Sequence, residues 1–179
     1  MFSIEKCIVP DNSLLQKYST DGAYVDCYST EILGHVSFPD YIFAFYTTPL
    51  FKLERFILKL TVSKPSTDKQ ARQLADGDIQ RFAAWTIESR SENEILMCDF
   101  LGRTRSWLMV VPMNIASSTR TGLYFGTAIV PMHISKTGEP SIGFSFQTLL
   151  GFHKIYSRLL LHSAKSRIRV ITCLKIIKR

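Results

Sequence analysis

The chain has 179 residues, of which 46% are hydrophobic and 12% aromatic, and its formal net charge is +7. This length suits a single domain with a buried core, and the hydrophobic content excludes an intrinsically disordered chain. The first residues lack the apolar segment of a secretory signal. The longest uncharged stretches, 106–119 and 121–135, contain proline and are shorter than the roughly 18 apolar residues of a membrane helix. We therefore expect one soluble, cytoplasmic domain whose four scattered cysteines are reduced.

The first half of the chain predicts an arm, a strand and two helices. Residues 1–22 indicate an irregular arm with one helical turn at 12–18, and the alternating pattern of residues 23–32 predicts a strand. The sequence SFPD at 37–40 is typical of a helix start, and the proline at 48–49 ends that helix and begins a second one. The second helix has one apolar face, formed by Leu50, Leu53, Phe56, Ile57 and Leu60.

The second half predicts an antiparallel sheet and a long helix. After a polar loop with a helical turn at 68–75, four strand-like segments follow, at 81–90, 94–101, 104–113 and 121–130. Their short, turn-rich connections indicate a meander, and a helical stripe predicts a final helix from about 146 to 165 or beyond. The segment 104–113 is apolar on both sides. We therefore expect helices on one face of the sheet and the arm, a subunit or sheet curvature on the other.

This order of elements resembles that of the START-like, or helix-grip (SRPBCC-type), superfamily. The segment 121–168, with TGLYFGTAIVPM and GFHKIYSRLLLHSAKSRI, looks like the last strand and closing helix of bacterial members of unknown function. The stretch AFYTTPLFKLERFILKL looks like the paired helices behind the first strand. The resemblance implies an α+β domain at 23–168, in which a curved antiparallel sheet wraps around a long C-terminal helix. An arm at 1–22 precedes this domain and a basic tail at 169–179 follows it.

The resemblance also implies a cavity between sheet and helix that binds an apolar or amphipathic, lipid-like molecule, without fixing an activity. In the hairpin 99–107, Asp99 and Arg105 would orient a polar ligand head if they share a face with Trp107 and Met109. The alternative is an exposed hairpin with a cross-strand ion pair. On the final helix, His153 and Tyr156 are spaced i, i+3 and so are neighbours. The predicted ligand-binding residues are Trp85, Asp99, Arg105, Trp107, Met109, Phe125, His153 and Tyr156.

Motifs for other chemistry are missing from the sequence. The four histidines show no metal-ligand spacing, and there is no GxGxxG, P-loop or complete nucleophile elbow. We therefore expect no metal, no cofactor and no covalent catalysis. Two alternatives to a carrier stay open. One is an enzyme of cyclase or hydrolase type that uses Asp99 or His153 as acid or base in the same cavity. The other is a homodimeric interaction protein that pairs through the second sheet face or the arm.

Basic residues concentrate toward the C-terminus. Residues 100–179 hold 12 basic residues and a single acid, Glu139. The segment 165–179 mixes cations with apolar residues, which favours either peripheral contact with an anionic membrane or a solubilising end. Membrane recruitment predicts one exposed surface that contains Lys165, Arg167, Arg169, Lys175, Lys178 and Arg179. We do not expect nucleic acid as a partner, because no aromatic residues for base stacking are interleaved with the cations.

Overall fold

The protein is an α+β structure with one antiparallel sheet and a long C-terminal helix, as the sequence predicts at this level. The computed structural model describes residues 3–115, 118–130 and 144–177, with side chains except at 61–62, 114–115, 144–153 and 173–177. The strands are β1 (Glu5–Lys6), β2 (Tyr24–Leu33), β3 (Arg81–Phe82), β4 (Trp85–Arg90), β5 (Glu94–Asp99), β6 (Thr104–Ile115) and β7 (Ser118–Ile129). The helices are α1 (Gln16–Thr20), α2 (Phe38–Tyr46), α3 (Pro49–Val62), α4 (Asp68–Asp76) and α5 (Phe144–Ile177).

In the described part of the chain, seven strands form one open sheet in the order β1-β2-β7-β6-β5-β4-β3, and every neighbouring pair is antiparallel. The main hydrophobic core lies between one face of this sheet and helices α2 to α5. Helix α5 contacts α2, α3, β2 and β7. It therefore packs on the helical side of the sheet against β2 and β7, the second and third strands in the order.

The start of each of the first two long helices follows from its local sequence. Ser37 Oγ accepts the backbone N–H of Asp40 at 3.2 Å, and Thr48 Oγ1 accepts that of Phe51 at 3.1 Å. A proline lies in the first turn of both helices, where its missing N–H has no intrahelical partner to lose. The predicted pair of helices with a break at residues 48–49 is confirmed.

The elements differ from the prediction in four places. The strand predicted at 81–90 is interrupted, because Ala83 adopts a left-handed φ of 52° between β3 and β4. Strands β6 and β7 extend to Ile115 and from Ser118, so the predicted turn at 114–120 is largely strand. The arm contains β1 as well as α1, since residues 5–6 pair with β2. Helix α5 continues to Ile177, so the predicted border between domain and basic tail lies inside it.

Most of the apolar face predicted for α3 does not point into the core, and only its Leu50 packs against the core. Leu53, Phe56, Ile57 and Leu60 are each at least half exposed. The buried side of this helix instead carries Phe51 and Arg55, together with half-buried residues. Arg55 is tolerated there because its guanidinium donates to Ser66 Oγ, Ser66 O, Tyr46 O and Asp68 Oδ1.

The arm covers the second face of the sheet. Leu15 of this arm is fully buried with Trp107, Cys27, Leu96, Met109 and Ala128. Glu94 Oε2 accepts the backbone N–H of Leu14 at 2.9 Å and the indole N–H of Trp107 at 2.7 Å. Of the three covers that the sequence allowed for this face, the structure uses the chain's own arm.

No helix in the described part of the chain combines the length and the apolar character needed to cross a membrane.

Candidate functional site: an apolar cavity between sheet, α3 and α5

A cavity of about 620 Å³ lies on the helical side of the sheet. Strands β4 to β7 supply one wall, and helices α3 and α5 supply the opposite one. Successive side chains of a strand point to opposite faces, and this alternation determines which residues line the cavity. Thr104 and Ser106 of β6 therefore face the cavity, while Arg105 between them faces away. A pocket of this size and position is the usual form of a small-molecule site.

The inner end of the cavity is built from aromatic rings. Phe45 and Phe125 are 4.8 Å apart between ring centroids, and Phe45 and Phe51 are 5.9 Å apart. These three rings line the cavity and belong to α2, β7 and α3 respectively. Because Phe45 packs against the rings of the other two elements, the inner wall offers a continuous apolar surface to a ligand.

Apolar side chains also surround the mouth of the cavity. Leu53 and Ile57 of α3, Phe100 of the β5–β6 turn, and Ile155 and Leu159 of α5 all line it, yet each is roughly half exposed or more. An exposed apolar cluster of this kind is unusual unless a ligand or partner covers it. The cavity therefore opens to solvent through an apolar rim.

The polar centre of the cavity is Glu54, which lies on α3 between the inner wall and the rim. Its Oε2 accepts the hydroxyl proton of Tyr156 at 2.5 Å. Burial raises the pKa of the Glu54 carboxyl, and the donors of Tyr156 and Trp85 only partly offset this effect. Burial and the nearby Glu54 charge likewise raise the pKa of Tyr156. The pair is thus a proton donor and an acceptor held in mostly apolar surroundings.

Trp85 contributes a buried indole N–H to the same wall. Its Nε1 is buried and makes no well-aligned hydrogen bond with the described residues, although it acts on the Glu54 carboxyl. A buried N–H without a good acceptor costs free energy. The Trp85 N–H favours the ionised form of Glu54 and so lowers the pKa of that carboxyl, against the larger effect of burial.

The structure brings four of the eight predicted site residues together in this cavity. Trp85, Asp99, Phe125 and Tyr156 line it. Asp99 is also committed to the hairpin turn, since its Oδ1 accepts the backbone N–H of Arg103 at 2.7 Å and of Thr104 at 3.2 Å. Only part of its carboxylate remains for a ligand.

Three predicted residues lie on the other face of the sheet. Arg105, Trp107 and Met109 share one side of β6, opposite to the side that faces the cavity. Asp99 therefore does not share a face with Arg105, Trp107 and Met109, as the ligand-head hypothesis required. Arg105 is paired with Glu88 instead, because its Nε donates to Glu88 Oε2 at 2.7 Å. The physical reason is the pleat, because Asp99 points to the helical side while Arg105 points to the arm. The side chain of His153 lies outside the described residues.

Glu54 was missed by the sequence reasoning, which placed it with the charged, outward residues of its helix. The spacing of Glu54 relative to two apolar residues of the same helix could have identified it. Leu50, Glu54 and Ile57 are spaced i, i+4, i+7, so they share a helix face, and all three line the cavity. A single acid on an otherwise apolar helix face indicates a polar group in an apolar site.

The cations of the predicted basic surface separate on α5. Lys165 is 4% exposed, and its Nζ donates to Thr30 Oγ1 at 2.8 Å. Arg167 Nε donates to Thr47 Oγ1 at 3.3 Å, and Arg169 is exposed. The side chains of Lys175, Lys178 and Arg179 lie outside the described residues. A single exposed surface with all six cations is therefore wrong, because Lys165 is buried.

No cluster of three or more His, Cys, Asp or Glu side chains in the described part of the chain is arranged to hold a metal ion. Neither a family model nor a curated protein matches this chain.

Proposed function

We propose that this protein binds an apolar or amphipathic, lipid-like molecule in the cavity between its sheet and α5, as a cytoplasmic carrier with a START-like, helix-grip architecture. The cavity itself is the observation that carries the proposal. A fully packed interior would have argued against it, whereas about 620 Å³ lies within the range of small-molecule sites. Mostly apolar walls with a few convergent polar groups are the usual composition of such sites.

A fluorescent apolar probe tests the proposal directly. N-phenyl-1-naphthylamine should bind with enhanced emission, and Leu159→Trp, which fills the mouth, should weaken its binding about tenfold. Val170→Trp is the matched control, because Val170 lies on the same helix, is 53% exposed compared with 52% for Leu159, and does not line the cavity. Equal binding by both variants would contradict the proposed site, as would the absence of binding by the unmodified protein.

A second candidate function is an enzyme that uses Glu54 as acid or base. Glu54 favours it because this carboxylate lines the cavity, has a raised pKa and holds a hydroxyl within hydrogen-bond distance. The test is to extract the molecules that co-purify with the protein and incubate them with fresh protein. A product formed by the unmodified protein and not by Glu54→Gln supports an enzyme. Unchanged molecules after prolonged incubation support a carrier.

A further inference from the structure

The charges that line the cavity are opposite in sign to the charge of the protein. Although the chain has a net charge of +7, among the described residues that line the cavity only Glu54 and Asp99 are charged, and both are acids. A third carboxylate lies directly behind the wall, where Asp26 Oδ1 accepts the hydroxyl of the lining residue Thr127 at 2.5 Å. The charged side chains in the described part of the cavity wall are thus both acidic.

Glu54 is not neutralised by a cation of the described residues. None of their ion pairs includes it. Its neighbours along α3 are committed elsewhere, because Arg55 Nη1 binds Asp68 at 2.8 Å and Lys52 Nζ binds the same carboxylate at 2.5 Å. The rise in the pKa of Glu54 with burial has the same origin, since its charge is removed from water without a compensating positive charge.

We infer that the ligand is a cationic amphiphile, an apolar molecule with one protonated amine whose ammonium group binds Glu54. This inference rests on the proposed binding function and specifies the ligand's head. Tyr156 already donates to one oxygen of Glu54, so the carboxylate can still accept hydrogen bonds but offers none. An ammonium group supplies three donors and the missing charge, whereas a carboxylate head would be repelled.

The aromatic residues near Glu54 fit the same head. Trp85 and Tyr156 line the cavity beside this carboxylate, and Phe100 lines it at the rim. Aromatic rings attract ammonium groups through their negative faces. The apolar walls of α3, α5 and β7 then hold the hydrocarbon part, so one molecule satisfies both the charge and the shape of the site.

Three straight-chain probes of equal length, which differ only in the head group, measure how much the head contributes to the affinity. Dodecylamine, dodecanol and dodecanoate are titrated against bound N-phenyl-1-naphthylamine, and the affinities are obtained from its displacement. We expect the amine to bind about tenfold or more tightly than the alcohol, and the alcohol more tightly than the carboxylate, because a buried charge-assisted hydrogen bond discriminates by this order.

Glu54→Gln should remove the preference for the amine over dodecanol. Glu92→Gln is the matched control, since it removes the same charge from an exposed position that does not line the cavity. In the unmodified protein, amine affinity should fall as the pH is lowered through the pKa of Glu54, while dodecanol affinity stays constant. This second measurement applies even if Glu54→Gln fails to fold.

Each other outcome has a distinct meaning. Equal affinity for the three heads would overturn the inference and leave the proposed binding of apolar molecules intact. An amine preference that survives in Glu54→Gln would overturn the role of Glu54. Binding of none of the three would overturn the inference together with the proposed function.

Discussion

Gly126 of β7 shows how a single residue lets the arm pack on the sheet. A Cβ at this position would lie 2.5 Å from Leu15 Cδ2 and 3.0 Å from Trp107 Cε3. The absence of a side chain therefore makes the space in which Leu15 is buried. Gly122, on the same strand and the same face, has looser surroundings, because a Cβ there would first meet Tyr124 and Met113 side-chain atoms at 3.2 and 3.3 Å.

Gly126→Ala should lower the free energy of unfolding by about 1–3 kcal/mol, the usual cost of overpacking a core. Gly122→Ala should be close to neutral, since the two neighbouring side chains need to move only a few tenths of an ångström. Urea denaturation of both variants measures the difference. Equal destabilisation would show that the contact with Leu15 is not what requires glycine at position 126.

The thiols of Cys7 and Cys27 are in direct contact, and this contact changes the pKa of both. Their sulfurs are 3.1 Å apart, where the arm crosses beside β2. The hydrogen bond from the Cys27 thiol lowers the pKa of Cys7 to about 7, although burial acts in the opposite direction. The same contact raises the pKa of Cys27. Cys7 is therefore the first thiol of the pair to ionise.

The alkylation rate of Cys7 by iodoacetamide should consequently rise with pH around a midpoint near 7, because the thiolate is the reactive form. Cys27→Ala removes the hydrogen bond and should move the midpoint upward, toward the value of an ordinary cysteine. Peptide mapping by mass spectrometry isolates the Cys7 peptide from those of the other cysteines. An unchanged midpoint in Cys27→Ala would contradict the assigned cause.

At the scale of elements, the orientation of α3 about its axis differs from the one that its sequence pattern predicts. Its apolar stripe lies at the surface, and a satisfied arginine occupies its inner side. The helix is held by the contacts of Arg55 with the segment that leads into α4, because Ser66 and Asp68 both accept from it. This orientation brings Leu53, Glu54 and Ile57 to the cavity.

Two phenylalanines of α3 test this orientation. Phe51 is 2% exposed and Phe56 is 57% exposed. Phe51→Ala should lower the free energy of unfolding by about 3–5 kcal/mol, the cost of a large cavity in the core. Phe56→Ala should change it by about 0.5 kcal/mol or less, as is usual for surface positions. Thermal or urea unfolding compares the two. A reversed order would mean that the stripe predicted from the sequence is the buried side.

At the scale of the whole molecule, each face of the sheet has its own cover. Helices α2 to α5 cover the face with the cavity, and the arm covers the face that contains Trp107. The arm is tied to the sheet by polar contacts as well, since Glu88 accepts from Tyr18 OH at 2.6 Å and from Arg105 Nε at 2.7 Å. The cavity and the arm thus lie on opposite sides of the same strands.

Deletion of residues 1–19 should uncover Leu96, Trp107 and Met109 and destabilise the protein by at least about 3 kcal/mol, since Leu15 alone is a fully buried leucine. The uncovered apolar face should also promote self-association. Size-exclusion chromatography measures the self-association, and the emission maximum of tryptophan measures the exposure of Trp107. A monomeric, equally stable truncated protein would show that the arm contributes little to the fold.

The sequence by itself determined the kinds of elements and their order. Capping residues and prolines act within one turn of chain, so they identified α2 and α3 correctly, and short turns implied the antiparallel strands β4 to β7. Of the residues predicted to bind a ligand, Trp85, Asp99, Phe125 and Tyr156 line the cavity.

Only the tertiary structure decided which side of each element faces the cavity. The pleat of the strands directs Asp99 and Arg105 to opposite faces of the sheet. The rotation of α3 about its own axis exposes most of its apolar stripe and places Glu54 at the cavity wall. The sequence pattern marks a residue as apolar or charged, but orientation depends on partners that are distant in the chain. Arg55 is buried because Tyr46, Ser66 and Asp68 together satisfy its donors, and that combination exists only after folding.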